Sequence, residues 1–538
     1  MMKGDSWTSL TQYIVRPKEL KVTNQLFIRT TLATVAAMLL GAAASADPLL
    51  LQIAPGKIRG KLIHDGSVRA YLGIPYAAPP IGSLRWAPPQ PAAPWKGVLN
   101  AVQYGHRCVQ THLFDDMVFQ DASPSEDCLS LNVFVPMDAK RGAKLPVMFW
   151  IHGGGYSGGG SSEPRHNGDF LPTKGVVLVT INYRLGVFGF LTLPQLTAEQ
   201  GGSSGNYGLM DMVAALRWVK SNIGAFGGDP NKVTIFGESA GSFAVSTLMA
   251  VPAARGLFRS GIGESGAVLA RSAYAYESLE VRAPRDARLF DALGVKTLEQ
   301  ARALPADDVL AAATKTQTAR LAPVIDGRFL LEPIMATYAA GRQMHVPLLA
   351  GFNRDEAGFA ATRTTPEKWR SVADKRFGDK AAEFLALYPS TTDVELNRSA
   401  ADFARDSFIA YGTWKWMEIH RKTGDSPIYR YRFDLAAPPS QFHAEPEAFH
   451  SDEIEYVFGT LDTRRGAVWR ASDRKLSEQI MSYWTNFAKT GDPNGPGLPL
   501  WPRYSEGDPV LHLDDPITVQ PDEQRPRYQF LSTSETPP

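Results

Sequence analysis

Short unbroken apolar runs alternate along this chain with longer stretches whose apolar residues recur every three to four positions. That pattern predicts strands interleaved with helices. Residues 51–63 and 68–74 are expected as short strands, 75–94 as a proline-rich surface run, and the alternation after Cys128, through Pro136, as another strand. Residues 145–152, with the core Pro-Val-Met-Phe-Trp-Ile, have the continuous hydrophobicity of a central parallel strand buried on both faces. Further strands are expected at 175–182, from Val233 onward, at 347–351 and at 428–433. Residues 210–223, with Trp218 on the apolar face, and 472–490 carry helical periodicity. The stretch 274–322 is expected to be helical and to cover the sheet edge, and 491–502 to form a turn region rich in proline and glycine. Together these elements predict an α/β fold, a large mainly parallel central sheet with helices on both faces, built as one catalytic domain over residues 47–538.

One strand ends in unusual punctuation. The run Val233-Thr234-Ile235-Phe236 leads into Gly237-Glu238-Ser239-Ala240-Gly241 and then into a helical pattern. Small residues on either side of Ser239 permit a sharp strand-to-helix bend that lifts the hydroxyl clear of the sheet, as a serine nucleophile requires. The bare Gly-x-Ser-x-Gly pattern occurs three times, also at 155–159 and 201–205. Only the third instance sits between a strand and a helix, so Ser157 and Ser203 are expected to be loop serines. The competing role for Ser239 is that of a turn serine capping a helix. A second glycine cluster, Gly153-Gly154-Gly155, closes the strand at 145–152. Glycines there leave backbone N–H groups free to face a developing negative charge, the arrangement of an oxyanion hole; a plain flexible loop is the alternative.

Composition narrows the function classes. The 538 residues are 44% hydrophobic and 21% charged, with a net charge of +1, which gives no electrostatic footprint for nucleic acid or an anionic membrane surface. At the N-terminus, Lys18, Lys21 and Arg29 precede an apolar run over 31–44, and Ala44-Ser45-Ala46 has the small-x-small form of a signal-peptide cleavage site. Residues 1–46 are therefore expected to be a signal peptide, cleaved near Ala46, and the protein to be secreted or periplasmic. The run is shorter than the roughly 20 apolar residues of a membrane anchor, so no stable anchor is expected. In an oxidising compartment the only two cysteines, Cys108 and Cys128, are expected to pair, closing 19 residues into a loop. A zinc site wants three or four clustered ligands, and His106 and His112 are the only histidines near these cysteines.

A serine nucleophile needs a base to take its proton and an acid to orient that base. In an open α/β sheet the chain order is nucleophile, acid, base. Five histidines follow Ser239: His345, His420, His443, His450 and His512. His443 and His450 lie in the loop after the 428–433 strand, where a base belongs, and the sequence favours His450 without excluding His443. Asp326, Asp355 and Glu356 are equivalent candidates for the acid on periodicity alone.

These residues sit within a larger set of motifs. Gly73-Ile74-Pro75-Tyr76-Ala77, Leu84-Arg85-Trp86, Ser125-Glu126-Asp127-Cys128-Leu129, Trp150-Ile151-His152-Gly153-Gly154-Gly155, Asn182-Tyr183-Arg184 and Phe226-Gly227-Gly228-Asp229-Pro230 precede the serine motif in order. By them the chain resembles the type-B carboxylesterases, the carboxylesterase and cholinesterase family of the α/β-hydrolase fold. The resemblance implies a serine esterase acting on a small-molecule ester, with nucleophile Ser239, acid Glu356, base His450, and an oxyanion hole from the N–H groups of Gly154, Gly155 and Ala240. It also implies a Cys108–Cys128 disulfide and no metal or organic cofactor. The acid motif usually runs Asp-Glu-Gly and here reads Asp355-Glu356-Ala357-Gly358. In the cholinesterase branch the disulfide loop carries a tryptophan that binds quaternary ammonium; residues 109–127 hold Phe114 and Phe119 and no tryptophan, so weak activity on choline esters is expected. An amide- or carbamate-cleaving hydrolase would share every motif, and a non-catalytic binding protein on this fold would be expected to lack Ser239 or His450.

Overall fold

Along the strand Leu145–Ile151, Val147, Phe149 and Ile151 enter one hydrophobic core while Met148 and Trp150 enter another. Successive side chains of a strand point to opposite faces, so an unbroken apolar run is what a strand covered on both sides requires. The same split recurs at Val177, Val179 and Ile181 against Leu178, and at Leu348, Ala350 and Phe352 against Leu349. The computed structural model describes residues 47–270, 275–356, 364–505 and 509–535. The expected signal peptide and its cleavage site at Ala46, Tyr274 at the start of the expected helical stretch, and Ala357 and Gly358 of the acid motif lie outside those residues. Leu51–Pro538 forms one compact unit.

The central sheet has eleven strands: β1 (Lys61–Ile63), β2 (Val68–Pro75), β3 (Ser130–Pro136), β4 (Leu145–Ile151), β5 (Val177–Ile181), β6 (Gly228–Glu238), β7 (Ser260–Glu264), β8 (Leu348–Asn353), β9 (Ile428–Phe433), β10 (Pro509–Leu513) and β11 (Thr518–Pro521). Their spatial order is β11-β10-β9-β8-β7-β6-β4-β5-β3-β2-β1. The centre, from β5 through β4, β6, β7, β8 and β9 to β10, is parallel throughout. Antiparallel pairs confine themselves to the margins, β1·β2, β2·β3, β3·β5 and β10·β11. One face is covered by α1 (Tyr207–Asn222), α2 (Ala240–Leu248) and α3 (Tyr411–Thr423), the other by α4 (Ile454–Phe458) and α5 (Ala471–Thr490). Trp218 is buried beneath α1, as its position on the apolar face predicts.

Two expectations need correction. The proline-rich run at 75–94 is not simply a surface segment, because Trp86 is fully buried and its indole Nε1 donates to the Val187 carbonyl at 2.9 Å. Local composition carries no information about that distant acceptor. Within 275–322 the chain is not continuously helical: the strand Glu277–Ser278 pairs with Val324–Ile325, and four short helices follow, Leu279–Asp286, Arg288–Leu293, Leu298–Ala303 and Ala306–Lys315, with bonds to the segments around Arg85 and Thr192. Arg85 Nη1 donates to Ala301 O at 2.9 Å, Arg302 Nε donates to Arg85 O at 3.0 Å, and Asp286 accepts from the Thr192 hydroxyl at 2.7 Å. Among the described residues no helix is long and apolar enough to cross a membrane.

The parallel arrangement sets the location of the site. The glycine cluster follows the last residue of β4, Ser239 follows β6, Glu356 lies three residues beyond β8, and His450 lies in the loop after β9. All four therefore emerge at the carboxyl edge of one sheet, where open α/β sheets place their ligands.

Candidate active site

Ser239 has φ 52° and ψ −119°, a conformation that side-chain-bearing residues rarely adopt and that costs on the order of 1–3 kcal/mol. The surrounding sequence is built to hold it. A Cβ on Gly237 would come within 2.5 Å of the Ile151 carbonyl oxygen, and one on Gly241 would collide with the same oxygen. Both glycines let the bend press against the end of β4. From the other side the Ser239 N–H donates to Glu264 O at 2.9 Å, tying the bend to β7. The Ser239 hydroxyl makes no capping bond to α2, so the helix-cap role is not the one it fills.

The hydroxyl instead meets a histidine. His450 Nε2 lies 3.0 Å from Ser239 Oγ, and His450 Nδ1 lies 2.5 Å from Glu356 Oε2. A carboxylate only accepts, so Nδ1 carries the proton and the neutral ring presents Nε2 as acceptor to the serine hydroxyl. Glu356 is completely buried, and its Oε1 accepts from the Asn353 N–H at 2.6 Å. Asn353 Nδ2 in turn donates to Phe449 O at 2.7 Å and to Glu453 Oε2 at 2.5 Å. The Asp355 N–H donates to Ala448 O at 2.8 Å. The loop after β8 is thus laced to the loop after β9, which fixes the acid–base distance across 94 residues of sequence.

The other candidates have structural occupations. Asp326 accepts from the N–H groups of Arg328, Phe329 and Leu330 in its own turn and from the hydroxyl of the distant Ser203. Asp355 pairs with Arg354 and accepts from Ala448 N–H. His443 packs against Phe449 with ring centroids 3.9 Å apart, His345 Nε2 lies 3.0 Å from Gly341 O, His420 is buried in α3 against Val346 O, and His512 is held by Asp434. Ser157 donates to Gly155 O, and so both it and Ser203 are loop serines.

The glycine cluster folds directly against the serine. A Cβ on Gly153 would lie 3.2 Å from Ser239 Cβ and 2.5 Å from Glu238 Oε2, so this approach is open only to glycine. Gly154 and Gly155 have φ of 96° and 59°, and the turn closes through Ser157 and Gly158 N–H bonds to Gly154 O, both 3.0 Å. Among the described residues the N–H groups of Gly154 and Gly155 take no acceptor. Ala240 opens α2, so its N–H has no intrahelical acceptor either.

Sequence reasoning missed a group of buried carboxyls around this relay. Burial pushes the Glu238 carboxyl up to about 7 and that of Glu264 up to about 8, and it drives Glu453 well above the usual carboxylate range. Glu238 Oε1 lies 3.3 Å from His450 Nε2. Burial pulls the His450 imidazolium down, but Glu238 and Glu356 outweigh it and raise His450 to about 9. A signal existed in the sequence, since Glu238 is a carboxylate two residues beyond the run Val233-Thr234-Ile235-Phe236. The Cys108–Cys128 disulfide is present, with Cα atoms 5.0 Å apart. Among the described residues no group of three or more His, Cys, Asp or Glu is placed to hold a metal ion.

Comparison with known proteins gives a consistent picture. The sequence model of the carboxylesterase family matches residues 47–531. The chain is 36% identical to the fumonisin B1 esterase of Sphingopyxis macrogoltabida over 488 residues, covering 87% of each chain. It is 35% identical to the para-nitrobenzyl esterase of Bacillus subtilis over 500 residues, covering 89% of this chain and 97% of the relative. A solved para-nitrobenzyl esterase superposes with a TM-score of 0.77 at 33% identity, over 91% of this chain and 99% of that one. A Geobacillus stearothermophilus carboxylesterase gives 0.75 at 32% identity, over 90% and 99%. The fold is that of the α/β-hydrolases, and the chain belongs to the carboxylesterase family, a carboxylic-ester hydrolase of type B.

Proposed function

We propose that the protein is an exported serine carboxylesterase that turns over small-molecule esters through an acyl-enzyme on Ser239. The observation that carries this reading is the unbroken relay Ser239 Oγ, His450 Nε2, His450 Nδ1, Glu356 Oε2, with spacings of 3.0 and 2.5 Å. In the first half-reaction Oγ attacks the ester carbonyl carbon as His450 accepts the hydroxyl proton. The carbonyl oxygen takes the negative charge and is met by the N–H groups of Gly154, Gly155 and Ala240. Each such donor contributes roughly 2.7–4 kcal/mol in comparable sites. Collapse breaks the C–O bond, and His450 returns the proton to the leaving alcohol. Water then repeats the sequence on the acyl-enzyme and frees the acid. Glu356 orients the ring and stabilises the imidazolium.

Export is supported by the basic and apolar N-terminal segment, by the cleavage-like Ala44-Ser45-Ala46, and by a family match that begins at residue 47. The Cys108–Cys128 disulfide belongs in an oxidising compartment. N-terminal sequencing of the exported protein tests the boundary: Asp47 as first residue supports it, and a retained Met1 overturns it.

The activity is tested on p-nitrophenyl esters from acetate to octanoate, with wild type and Ser239→Ala side by side. Hydrolysis by the wild type alone supports the reading, and the chain-length optimum measures the acyl pocket. Equal inactivity of both folded proteins across the series, or equal activity, overturns it.

A further inference from the structure

The loop closed by Cys108–Cys128 meets the glycine turn and the residues after it through Gln110, Leu113, Met117, Phe119, Gln120 and Asp121. Met117 Cε sits 3.1 Å from where a Gly154 Cβ would be, and Leu113 and Phe119 meet Gly158 and Gly160 in the same way. Gln120 N–H donates to Ser162 O at 3.1 Å, and Asp121 accepts from the Ser162 hydroxyl at 2.5 Å and from Arg107 Nη1 at 2.7 Å. The apolar contacts are adjustable, and the polar ones at Gln120 and Asp121 hold Ser162 and Arg107, outside the 153–159 turn. A further polar contact reaches the turn itself.

Gln110 grips a single glycine by both of its peptide groups. Its Oε1 accepts from the Gly159 N–H at 2.9 Å, and its Nε2 donates to Gly159 O at 2.8 Å and to Cys108 O at 3.0 Å. Gly159 has φ 100°, and a Cβ there would come within 2.8 Å of Gly153 O, so this residue forms the floor on which the 153–158 turn rests. The turn's own closing bonds, from Ser157 and Gly158 to Gly154 O, fix its curvature without fixing where it stands relative to Ser239. The Gln110 carboxamide supplies that second constraint, two residues along the chain from the disulfide at Cys108.

We propose that Gln110 is a positioning residue for the oxyanion hole, holding the N–H groups of Gly154 and Gly155 at the distance from Ser239 where charge develops. The inference rests on the serine-esterase reading. A donor displaced by even about 1 Å is expected to cost up to about a hundredfold in rate, while substrate binding, which precedes the charge, changes little.

The test compares wild type, Gln110→Leu, which removes both bonds to Gly159, and Gln110→Glu, which keeps the acceptor for its N–H. Each is assayed for kcat and KM on p-nitrophenyl butyrate, for inhibition by 1,1,1-trifluorooctan-2-one, and for thermal unfolding. The ketone adds Ser239 Oγ at its carbonyl carbon, His450 takes the proton, and the oxygen becomes an oxyanion in the same hole. Gln110→Leu is expected to lower kcat about 10- to 100-fold and to weaken the ketone by the same factor, with KM within about twofold; Gln110→Glu falls between. A folded Gln110→Leu whose kcat and ketone affinity stay within twofold of wild type overturns the proposal, as does a fall in melting temperature alone. If Gln110→Leu does not fold, Gln110→Glu decides by the same readouts. Failure of the wild type to hydrolyse the ester or bind the ketone would instead sink the esterase reading itself.

Discussion

The two halves of the candidate site are held by different means. On the nucleophile side, Ser239 and the glycine turn are pressed together by backbone, with Gly237, Gly241 and Gly153 each touching atoms that no larger residue would clear. On the acid–base side, Glu356 and His450 lie 94 residues apart on two loops joined by side chains and a few backbone bonds, with Asn353 bonded to Glu356 on one and to Phe449 O on the other. Steric closure gives the nucleophile a fixed, strained backbone. Hydrogen-bonded loops give the base a position that depends on polar groups staying paired. The first half is expected to fail by misfolding, and the second by mistuning.

The largest effects test whether the proposed roles fall where this division puts them. Ser239→Ala and His450→Gln are each expected to lower kcat/KM by about four orders of magnitude or more, with His443→Gln within a few-fold of wild type. Comparable losses at His443 would show that the wrong histidine has been assigned. Next comes the acid: Glu356→Gln should cost about 10³- to 10⁴-fold in kcat. Asp326→Asn, which disturbs its own turn and the bond from Ser203, should leave kcat nearly unchanged, and a large drop there would reopen the choice.

A further substitution probes steric closure. Gly241→Ala forces a methyl into the Ile151 carbonyl, and overpacking of this kind costs about 1–3 kcal/mol or more. Thermal unfolding should shift down, and an unchanged midpoint would mean that the elbow yields more easily than its contacts imply.

The smallest effect addresses tuning. His450 must be neutral to act as base, and Glu238 and Glu356 hold it up at about 9. Activity should therefore rise with pH along a limb lying above the ordinary histidine range. Glu238→Gln removes one negative neighbour, destabilises the imidazolium, and should move that limb of kcat/KM to lower pH. A limb unmoved by the substitution would show that Glu238 does not set the charge of His450.

How much of this was legible in the sequence follows the same division. The elbow is a local object, a β-branched run, two glycines and a serine within ten residues, so Ser239 stood out before any folding was considered. Several central strands were legible too, because burial on both faces leaves continuous apolar runs such as Leu145–Ile151, but β7 was not, since Ser260-Gly261-Ile262-Gly263-Glu264 holds a single large apolar residue. The choice among Asp326, Asp355 and Glu356 had no local signature, and only family resemblance pointed to Glu356. The three carboxylates differ in what they meet: Asp326 accepts from its own turn and from Ser203, Asp355 from Arg354 and Ala448, and Glu356 faces His450 because β8 and β9 lie side by side. Gln110 and Trp86 left no trace in local pattern for the same reason, since their partners, Gly159 and Val187, lie 49 and 101 residues away. Local pattern encodes which face a residue shows and where the backbone bends. Which side chains then meet is a property of the packed sheet, because hydrogen bonds and charge contacts act over a few ångströms of space whatever their separation along the chain.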